Sequence, residues 1–244
     1  MSAFRKAIVF GASTGIGAEL VRSLAKSGVQ VIAIARRQLL LDQLASEFPE
    51  TVTPIVMDLT ASCDASQILA DLCDQLGGCD LYIYCAGIMP RVGKDEYPTS
   101  LDLESIDVNF TSAVRWINAV ALRCQSLKAG TIVGISSVAG DRGRRGGPVY
   151  AATKAGFTVY LEALRNRLTV QGVRVVTIKP GPVSTPMTDG LTKLPLIISA
   201  DKAAMLILDH ARKGTSVAYV PGVWKLLMAI IRSIPQVIFQ RLDI

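Results

Sequence analysis

The sequence predicts an α/β fold: one domain built on a doubly wound parallel sheet of seven strands, with helices on both faces. Seven short apolar runs alternate with helical patterns of roughly ten to twenty-five residues, which is typical of parallel strands joined by crossover helices. A glycine-rich turn follows the first run. With 244 residues and 50% hydrophobic content, the chain is long enough to bury one sizeable core.

The seven apolar runs are the predicted strands, and they cover residues 7–10, 31–35, 53–57, 81–85, 131–135, 174–178 and 217–220. A ligand of such a sheet binds beyond the carboxyl ends of the strands. The residues that follow each run are therefore the candidates for a functional site.

The first strand leads into a glycine turn with the spacing GxxxGxG, and an amphipathic helix follows it as far as Gly28. Glycine lets backbone N–H groups approach a pyrophosphate at a helix start, where the helix dipole favours negative charge. A glycine turn between a strand and a helix predicts a dinucleotide site. The predicted cofactor contacts in this turn are Gly11, Ser13, Thr14, Gly15, Ile16 and Gly17.

Two arginines, Arg36 and Arg37, follow the second strand. An acidic residue at this place would accept hydrogen bonds from a ribose 2′-hydroxyl, whereas a guanidinium offers a fork of donors to a 2′-phosphate. The pair predicts NADP(H) in preference to NAD(H). The alternative is that both are solvated arginines ahead of a helix.

A group of catalytic candidates follows the fifth strand. Tyr150 and Lys154 are four residues apart, so on a helix they share one face. A cation there stabilises phenolate over phenol, which predicts a lowered tyrosine pKa and general acid or base action near neutrality. Ser137 follows the apolar run, where it is placed to hydrogen-bond a substrate carbonyl. On their own, Tyr and Lys at this spacing usually mark a solvated helix face.

The combined motifs resemble the short-chain dehydrogenase/reductase family over residues 7–220. The matching pieces, in chain order, are GASTGIG at 11–17, Asp58-Leu59, CAG at 85–87, Asn109, Ser137, Tyr150, Lys154 and PGPVST at 180–185. Each piece is short, but their order and spacing are specific. The resemblance implies a Rossmann-type fold and hydride transfer between a nicotinamide cofactor and a carbonyl or alcohol.

The resemblance also implies individual cofactor contacts. Arg36 is the first candidate for the 2′-phosphate, with Ser13 or Thr14 as a hydroxyl partner. Residues 180–185 resemble the segment that holds the nicotinamide carboxamide. Beyond the glycine turn, the full set is Arg36, Arg37, Asp58, Leu59, Cys85, Ala86, Gly87, Tyr150, Lys154, Pro180, Gly181, Val183 and Thr185.

Two of these positions carry a reservation. Asp58, with Leu59, is implied to lie against the adenine, but it equally suits the N-cap region of a helix beginning near residue 61. Cys85 stands where the family usually has asparagine, so a side-chain hydrogen bond is lost there. We do not interpret Cys85 as a redox thiol, because it has no partner cysteine.

Asn109 belongs to a segment, residues 101–127, that is predicted to be one helix. In the family, an asparagine here supports the active-site lysine through a water and extends a proton relay, so Asn109 is grouped with the catalytic residues. Polar filler is the alternative. This helix and the one after Tyr150 commonly pair between family subunits, which implies a homodimer or homotetramer.

Two loops border the predicted substrate site. The loop DRGRRGG at residues 141–147 brings three arginines between Ser137 and Tyr150, which predicts either an anion-binding role toward the substrate or a solvated loop. Residues 185–195 contain several turn formers and are predicted to form a mobile lid that decides substrate shape.

The C-terminal tail, residues 222–244, extends beyond the predicted catalytic domain of residues 1–221. Lys225, Arg232 and Pro235 interrupt its apolar sequence, so two short amphipathic helices are predicted instead of a membrane span. Trp224 and the basic residues suit a membrane-interface element, and packing on the same or a neighbouring subunit is the equal alternative. Tail and arginine loop together resemble the decaprenylphosphoryl ketopentose reductases, which implies a lipid-linked substrate.

Composition narrows the remaining classes. The net charge of +6 favours anionic partners, but the basic residues are dispersed and match no nucleic-acid motif, which argues against nucleic acid. The five cysteines lack metal-ligand spacing, and no secretory signal precedes the first strand, so we expect reduced thiols in the cytoplasm and no metal site. The single histidine, His210, argues against a Ser-His-Asp hydrolase and is expected at the surface or a helix end.

The sequence thus predicts an NADP(H)-dependent oxidoreductase that reduces a ketone or oxidises the alcohol. Tyr150 would donate the proton, Lys154 would lower its pKa and hold the ribose, and Ser137 would orient the carbonyl. One rival is a catalytically silent sensor or scaffold of the same fold, which has no need for these three residues. The other is an epimerase or dehydratase on nucleotide sugars, which usually needs a longer chain.

Overall fold

Seven parallel strands form a single sheet at the centre of the molecule. The computed structural model describes residues 4–191 and 194–242. In this part of the chain the strands are β1 (Lys6–Phe10), β2 (Gln30–Ala35), β3 (Val52–Val56), β4 (Leu81–Tyr84), β5 (Thr131–Ile135), β6 (Arg174–Pro180), β7 (Val183–Ser184), β8 (Ile198–Ser199) and β9 (Val217–Val220). The large sheet has the order β3-β2-β1-β4-β5-β6-β9, and β7 pairs with β8 separately.

The predicted fold class is confirmed, and all seven predicted strands are present with ends that shift by two residues at most. The short strands β7 and β8 are not among the predicted elements, because two residues carry no periodic signal. Strand order reverses between β1 and β4, which are direct neighbours. In a doubly wound sheet the ligand crevice opens at the carboxyl ends of such a pair.

Helices cover both faces of the sheet. They are α1 (Gly15–Lys26), α2 (Gln38–Glu47), α3 (Ala65–Gln75), α4 (Thr99–Ile106), α5 (Ser112–Leu127), α6 (Pro148–Leu168), α7 (Ala200–Lys213), α8 (Val223–Ser233) and α9 (Gln236–Phe239). Alternate residues of β1 point to opposite layers: Ala7 and Val9 join the core under α1, α2 and α7, while Ile8 and Phe10 join the core under α3, α5 and α6.

The segment predicted as one helix over residues 101–127 is helical throughout but not uniform. Helix α4 passes into α5 through a π-helical turn, Asp107–Thr111, and Asn109 is buried within this turn. Turns of this kind often occur at functional sites. The apolar periodicity gave no sign of the turn, because it inserts a single residue.

The C-terminal tail forms the two predicted helices, α8 and α9, with the break at Ile234 and Pro235. Trp224 and Met228 pack with Val138 in a small third core. Within residues 4–191 and 194–242, no helix combines the length and apolar character that crossing a bilayer requires. Asp243 and Ile244, also part of the predicted tail, lie outside the described residues, and the domain boundary at residue 221 stays a prediction.

Candidate functional site

The site candidates gather at the carboxyl ends of β1, β4, β5 and β6. Gly11, directly after β1, has a φ of +87°, and a Cβ placed on it would lie 2.5 Å from the Cα of Ala86, which follows β4. A side chain at residue 11 would therefore be strained and would collide with backbone. The two segments on either side of the strand-order reversal can meet only because residue 11 is glycine.

The glycine turn forms a close backbone cradle at the start of α1. A Cβ on Gly17 would fall far inside van der Waals contact with the carbonyl oxygen of Gly11. Gly15 has a φ of +57° and faces the side chain of Thr185, whose Cγ2 would be 3.0 Å from a Cβ at that position. The first turn of α1 thus lies directly against the segment that follows β6, and a helix start of this kind suits a phosphate.

Arg37, and not Arg36, holds the hydroxyl groups of the glycine turn. Its Nη2 donates to Ser13 Oγ at 2.7 Å and to Thr14 Oγ1 at 2.8 Å, and its Nε donates to Ser13 Oγ at 3.1 Å. The resemblance gave Arg36 as the first candidate for the 2′-phosphate, and both arginines are exposed. These hydrogen bonds give Arg37 a fixed position beside the turn, with guanidinium donors next to the place predicted for a 2′-phosphate.

Asp58 forms a local turn and does not cap a helix. Its Oδ1 accepts hydrogen bonds from the backbone N and from Oγ1 of Thr60, and these bonds lower the pKa of the carboxyl. The expected helix start near residue 61 is wrong: α3 begins at Ala65, and Asp64 caps it. The adjacent Leu59 is buried.

Asn109 fixes the chain just after β4. Its Oδ1 accepts from the backbone N of Ile88 at 2.7 Å, and its Nδ2 donates to the Ile88 oxygen at 2.9 Å. A Cβ on the neighbouring Gly87 would lie 3.1 Å from Asn109 Oδ1 and 3.4 Å from Lys154 Nζ. Glycine at residue 87 therefore lets the amide and the ammonium approach the same backbone.

Tyr150 and Lys154 lie on one face of α6, as the four-residue spacing predicts. Lys154 Nζ is 5.8 Å from the centroid of the Tyr150 ring and donates to the Ile135 oxygen at 3.1 Å. Ser137, two residues beyond the end of β5, hydrogen-bonds the Tyr150 side chain, and its Oγ also accepts from the backbone N of Ala139 at 3.0 Å. The structure therefore brings the serine, tyrosine and lysine together.

Sequence reasoning missed Ser136, which fixes α6 against the end of β5. Ser136 Oγ donates to the Lys154 oxygen at 2.9 Å and lies 2.7 Å from Thr158 Oγ1. The hydroxyl thus ties the residue before Ser137 to the helix that carries Tyr150 and Lys154. The adjacent serines were the only signal in the sequence, and nothing there separated their roles.

Burial controls the ionisation of the catalytic candidates. It raises the pKa of Tyr150, against smaller lowering effects of the Ser137 hydrogen bond and the Arg144 charge. It lowers the pKa of Lys154 to about 8 and raises that of Cys85 to about 12, so the Cys85 thiol stays protonated at neutral pH. The predicted lowering of the Tyr150 pKa is therefore wrong for this arrangement, because desolvation outweighs the Ser137 hydrogen bond and the Arg144 charge.

The arginine loop contacts the C-terminal tail. The Arg142 guanidinium donates to the carbonyl oxygens of Ile231 and Arg232 at the end of α8, and it lies 3.7 Å from the centroid of the Phe239 ring. Arg145 Nη2 donates to the Gln240 oxygen at 2.7 Å. The sequence suggested that the loop either binds an anion or is solvated. Instead, two of its three arginines, Arg142 and Arg145, contact the tail.

A buried ion pair supports the same loop. Lys179 Nζ lies 2.5 Å from Asp141 Oδ1, and Tyr219 donates to Asp141 Oδ2 at 2.6 Å. Only 2% of the Asp141 side chain and 9% of the Lys179 side chain are exposed. Because Lys179 belongs to β6 and Tyr219 to β9, the pair fixes the loop between Ser137 and Tyr150 to the neighbouring strands.

Gly181 is glycine because of the tail. A Cβ on Gly181 would overlap the indole of Trp224, whose buried Nε1 has no hydrogen-bond partner. The indole therefore lies directly on the segment after β6.

In the predicted lid, Thr188 Oγ1 donates to the Val183 oxygen at 2.7 Å. Thr192 and Lys193 of the lid lie outside the described residues, and its mobility stays a prediction.

The chemistry of the site fits a dinucleotide. Glycines at positions 11 and 17 form a cradle that a Cβ would fill, and Arg37 supplies fixed cationic donors beside it. Among residues 4–191 and 194–242, no cluster of His, Cys, Asp or Glu is arranged to hold a metal ion. His210 lies in the last turn of α7, at a helix end as expected.

Sequence comparison finds one family and several bacterial relatives. The short chain dehydrogenase family matches residues 5–194. An uncharacterised oxidoreductase of Myxococcus xanthus is 36% identical over 188 residues, which cover 76% of this chain and 74% of that protein. An uncharacterised oxidoreductase of Streptomyces coelicolor is 30% identical over 248 residues, covering 98% of this chain and 96% of its own.

Solved structures show the same architecture. A short-chain dehydrogenase from Sphingobium yanoikuyae in complex with NADPH superposes with a TM-score of 0.82 at 25% identity, covering 95% of this chain and 96% of that one. A short chain dehydrogenase/reductase family protein gives a TM-score of 0.78 at 27% identity, covering 88% and 94%.

Proposed function

The chain belongs to the short-chain dehydrogenase/reductase family, and from this premise we propose that it reduces a ketone to an alcohol with NADPH. The observation that carries the proposal is the meeting of Ser137, Tyr150 and Lys154 at the end of β5, beside Gly87 and the glycine turn. The reverse oxidation uses the same groups. A silent sensor of the same fold would have no use for this convergence.

The bound nicotinamide would supply the hydride, and the side chains would supply the proton and the orientation. Ser137 donates a hydrogen bond to the carbonyl oxygen, which points that oxygen at Tyr150. Because its pKa is raised, Tyr150 holds its proton at neutral pH and gives it up only to the strongly basic alkoxide. The nearby Lys154 charge then offsets part of the cost of the buried phenolate. Asn109 is proposed to keep Lys154 in place and to extend the proton path.

The catalytic rate should fall on the alkaline side. Lys154 is charged below its pKa of about 8 and neutral above it. If the charged form is required, kcat/KM for reduction should be flat below pH 8 and should fall up to about tenfold per pH unit above it. A profile of initial NADPH oxidation rates from pH 6 to about 10 measures this. A rate that rises through pH 8 would contradict the role given to Lys154.

The choice of NADP(H) is proposed to depend on Arg37. Replacing Arg37 with glutamine removes charge-assisted donors, so NADPH affinity should fall by roughly 10- to 100-fold while NADH affinity changes little. Fluorescence titration with each cofactor gives both dissociation constants. Arg36→Gln is the matched variant at the adjacent arginine, which is also exposed, and we expect the smaller effect there. Equal losses for NADPH and NADH would contradict recognition of a 2′-phosphate.

The substrate is proposed to be an apolar ketone, with lipid-linked ketones included. Support comes from the tail, because the Trp224 indole of α8 lies on Gly181, within the predicted cofactor segment. The test is an NADPH oxidation screen over ketones of increasing chain length. We expect kcat/KM to rise with chain length. Equal rates for short polar ketones would contradict an apolar substrate, and no turnover of any ketone would favour the sensor.

Self-association and location complete the proposal. Leu122 on α5 and Val159 on α6 are 62% and 64% exposed, which supports a homodimer or homotetramer through these helices. Sedimentation equilibrium would show a monomer if this is wrong.

The free cysteines suit the reducing cytoplasm. The protein is proposed to contact the cytoplasmic face of a membrane peripherally, through the C-terminal tail.

A further inference from the structure

Helix α8 has two apolar stripes, and the fold uses only one of them. The inner stripe contains the buried Trp224 and Met228, which pack with Val138. The outer stripe contains Val223, Leu226 and Ile230, which are 47%, 66% and 54% exposed. An amphipathic helix of a soluble domain normally keeps polar residues on its outer side. Exposed residues of this size at i, i+3 and i+7 therefore need a separate explanation.

Helix α9 extends the exposed surface. Val237 and Ile238 are 63% and 54% exposed, whereas Phe239 is buried under the Arg142 guanidinium. We call the five exposed residues the outer tail face: Val223, Leu226, Ile230, Val237 and Ile238. Arg142 and Arg145 hydrogen-bond to tail carbonyls on the inner side. These contacts fix the outer tail face in one orientation, pointing away from the protein.

The tail carries more cations than carboxylates. Residues 222–242 contain Lys225, Arg232 and Arg241 and no aspartate or glutamate, and the one acidic residue of the tail, Asp243, lies outside the described residues. All three cations are exposed. Lys225 and Arg232 are seven residues apart, so they lie on one side of α8, roughly 100° to 160° around the helix from Leu226 and Ile230 at about 100° per residue. Arg232 also interacts with the Tyr219 hydroxyl, so Lys225 and Arg241 are the cations that the proposal uses most directly. The surface thus joins exposed aliphatic side chains with cations that have long flexible stems.

We infer that the outer tail face docks onto the surface of an anionic lipid bilayer. Aliphatic side chains on a short helix can insert among the acyl chains near the headgroups, while lysine and arginine extend to anionic headgroups. A second copy of the chain fits less well, because symmetric contact would bring two sets of three cations together with only Asp243 of each tail as an acidic residue. The inference names the lipid partner and the surface for the membrane contact proposed above. It rests on the proposed function only for the cellular location and not for the reaction.

Docking in this way would place the crevice next to the lipid. Trp224, on the inner stripe of the same helix, lies on Gly181 in the cofactor segment. An apolar substrate could then pass from the bilayer to the site without crossing water. This gives the unused stripe a role that a purely structural tail would not need.

Vesicle sedimentation tests the inference with the full-length protein. Three vesicle types are used: phosphatidylcholine alone, phosphatidylcholine with phosphatidylserine, and the same anionic mixture at raised salt. We expect the protein to sediment with the anionic vesicles, to stay in solution with phosphatidylcholine alone, and to be partly released by salt. Sedimentation equal with both lipids, or with neither, overturns the inference.

The double variant Leu226→Glu with Ile230→Glu should lower binding to anionic vesicles by at least tenfold. The matched control is Val170→Glu with Met205→Glu, at residues that are 81% and 61% exposed and lie outside the tail, and it should bind like the wild type. Thermal melts check that both fold. Wild-type binding by the outer-face variant overturns the inference, and so does a change in its oligomeric state, which would identify a second copy as the partner. Turnover of a water-soluble ketone, measured in parallel, reports on the proposed reaction independently.

Discussion

Replacing Tyr150 with phenylalanine is expected to lower kcat for ketone reduction by about 10²- to 10⁴-fold, while NADPH binding stays close to wild type. The variant removes only the hydroxyl that is proposed to give up the proton. Its ring keeps the packing at the start of α6. Steady-state NADPH oxidation gives the rates, and quenching of protein fluorescence gives the cofactor dissociation constant.

A matched control lies on the same helix. Tyr160 also ends in a hydroxyl, which donates to Asn118 Oδ1 at 2.7 Å. Tyr160→Phe should keep kcat near the wild-type value because this hydroxyl is remote from Ser137 and Lys154. If Tyr150→Phe retained most of its activity, Tyr150 would lose its role as proton donor. If Tyr150→Phe lost NADPH binding as well as activity, the main role of the phenol would be to bind the cofactor and not to donate the proton.

Gly17→Ala should have the second large effect, on stability and on cofactor binding together. The new methyl group would overlap the carbonyl oxygen of Gly11, and both atoms belong to a turn that cannot move without displacing α1 or the end of β1. Overpacking of this kind costs about 3 kcal/mol in the free energy of unfolding. We also expect NADPH affinity to fall at least about tenfold, because the backbone N–H groups of the turn are displaced. Chemical denaturation and cofactor titration measure the two effects.

Gly222→Ala is the control variant, because it replaces glycine by alanine at a position where the new methyl group has room. A Cβ on Gly222 has no heavy atom within 4 Å, and the residue has a φ of −58°, which alanine adopts freely. Its free energy of unfolding should stay within about 0.5 kcal/mol of wild type. Similar losses in both variants would show that overlap at the Gly11 carbonyl is not what makes residue 17 sensitive.

The parts of the fold that depend on local periodicity could be predicted. Apolar runs and helix spacing gave the seven strands and placed Tyr150 beside Lys154, because strand pleat and helix pitch are fixed by covalent geometry. The glycine turn was recognisable for the same reason. Its glycines are needed by close backbone approach within one short segment, as the positions of Gly11 and Gly17 show.

The remaining features depend on contacts between distant parts of the chain. Arg36 and Arg37 are adjacent, and only the folded turn shows which side chain reaches Ser13. The contact between Arg142 and the tail joins residues about ninety positions apart. The desolvation of the half-buried Tyr150, which reverses the expected direction of its pKa change, arises only in the folded chain. None of these has a signature in the local sequence.

The π-helical turn at Asp107–Thr111 makes the helix sensitive to its length. The single extra residue in the turn sets α5 out of phase with α4, so that Asn109 reaches the Ile88 backbone while Trp116 still faces the core and donates to the Leu59 oxygen at 3.1 Å. Each residue of a regular helix advances it by about 100°. Loss of one residue here would turn α5 by about that angle relative to α4, and either the amide or the indole would then face the wrong way. This stretch should therefore accept changes of side chain far more readily than any insertion or deletion.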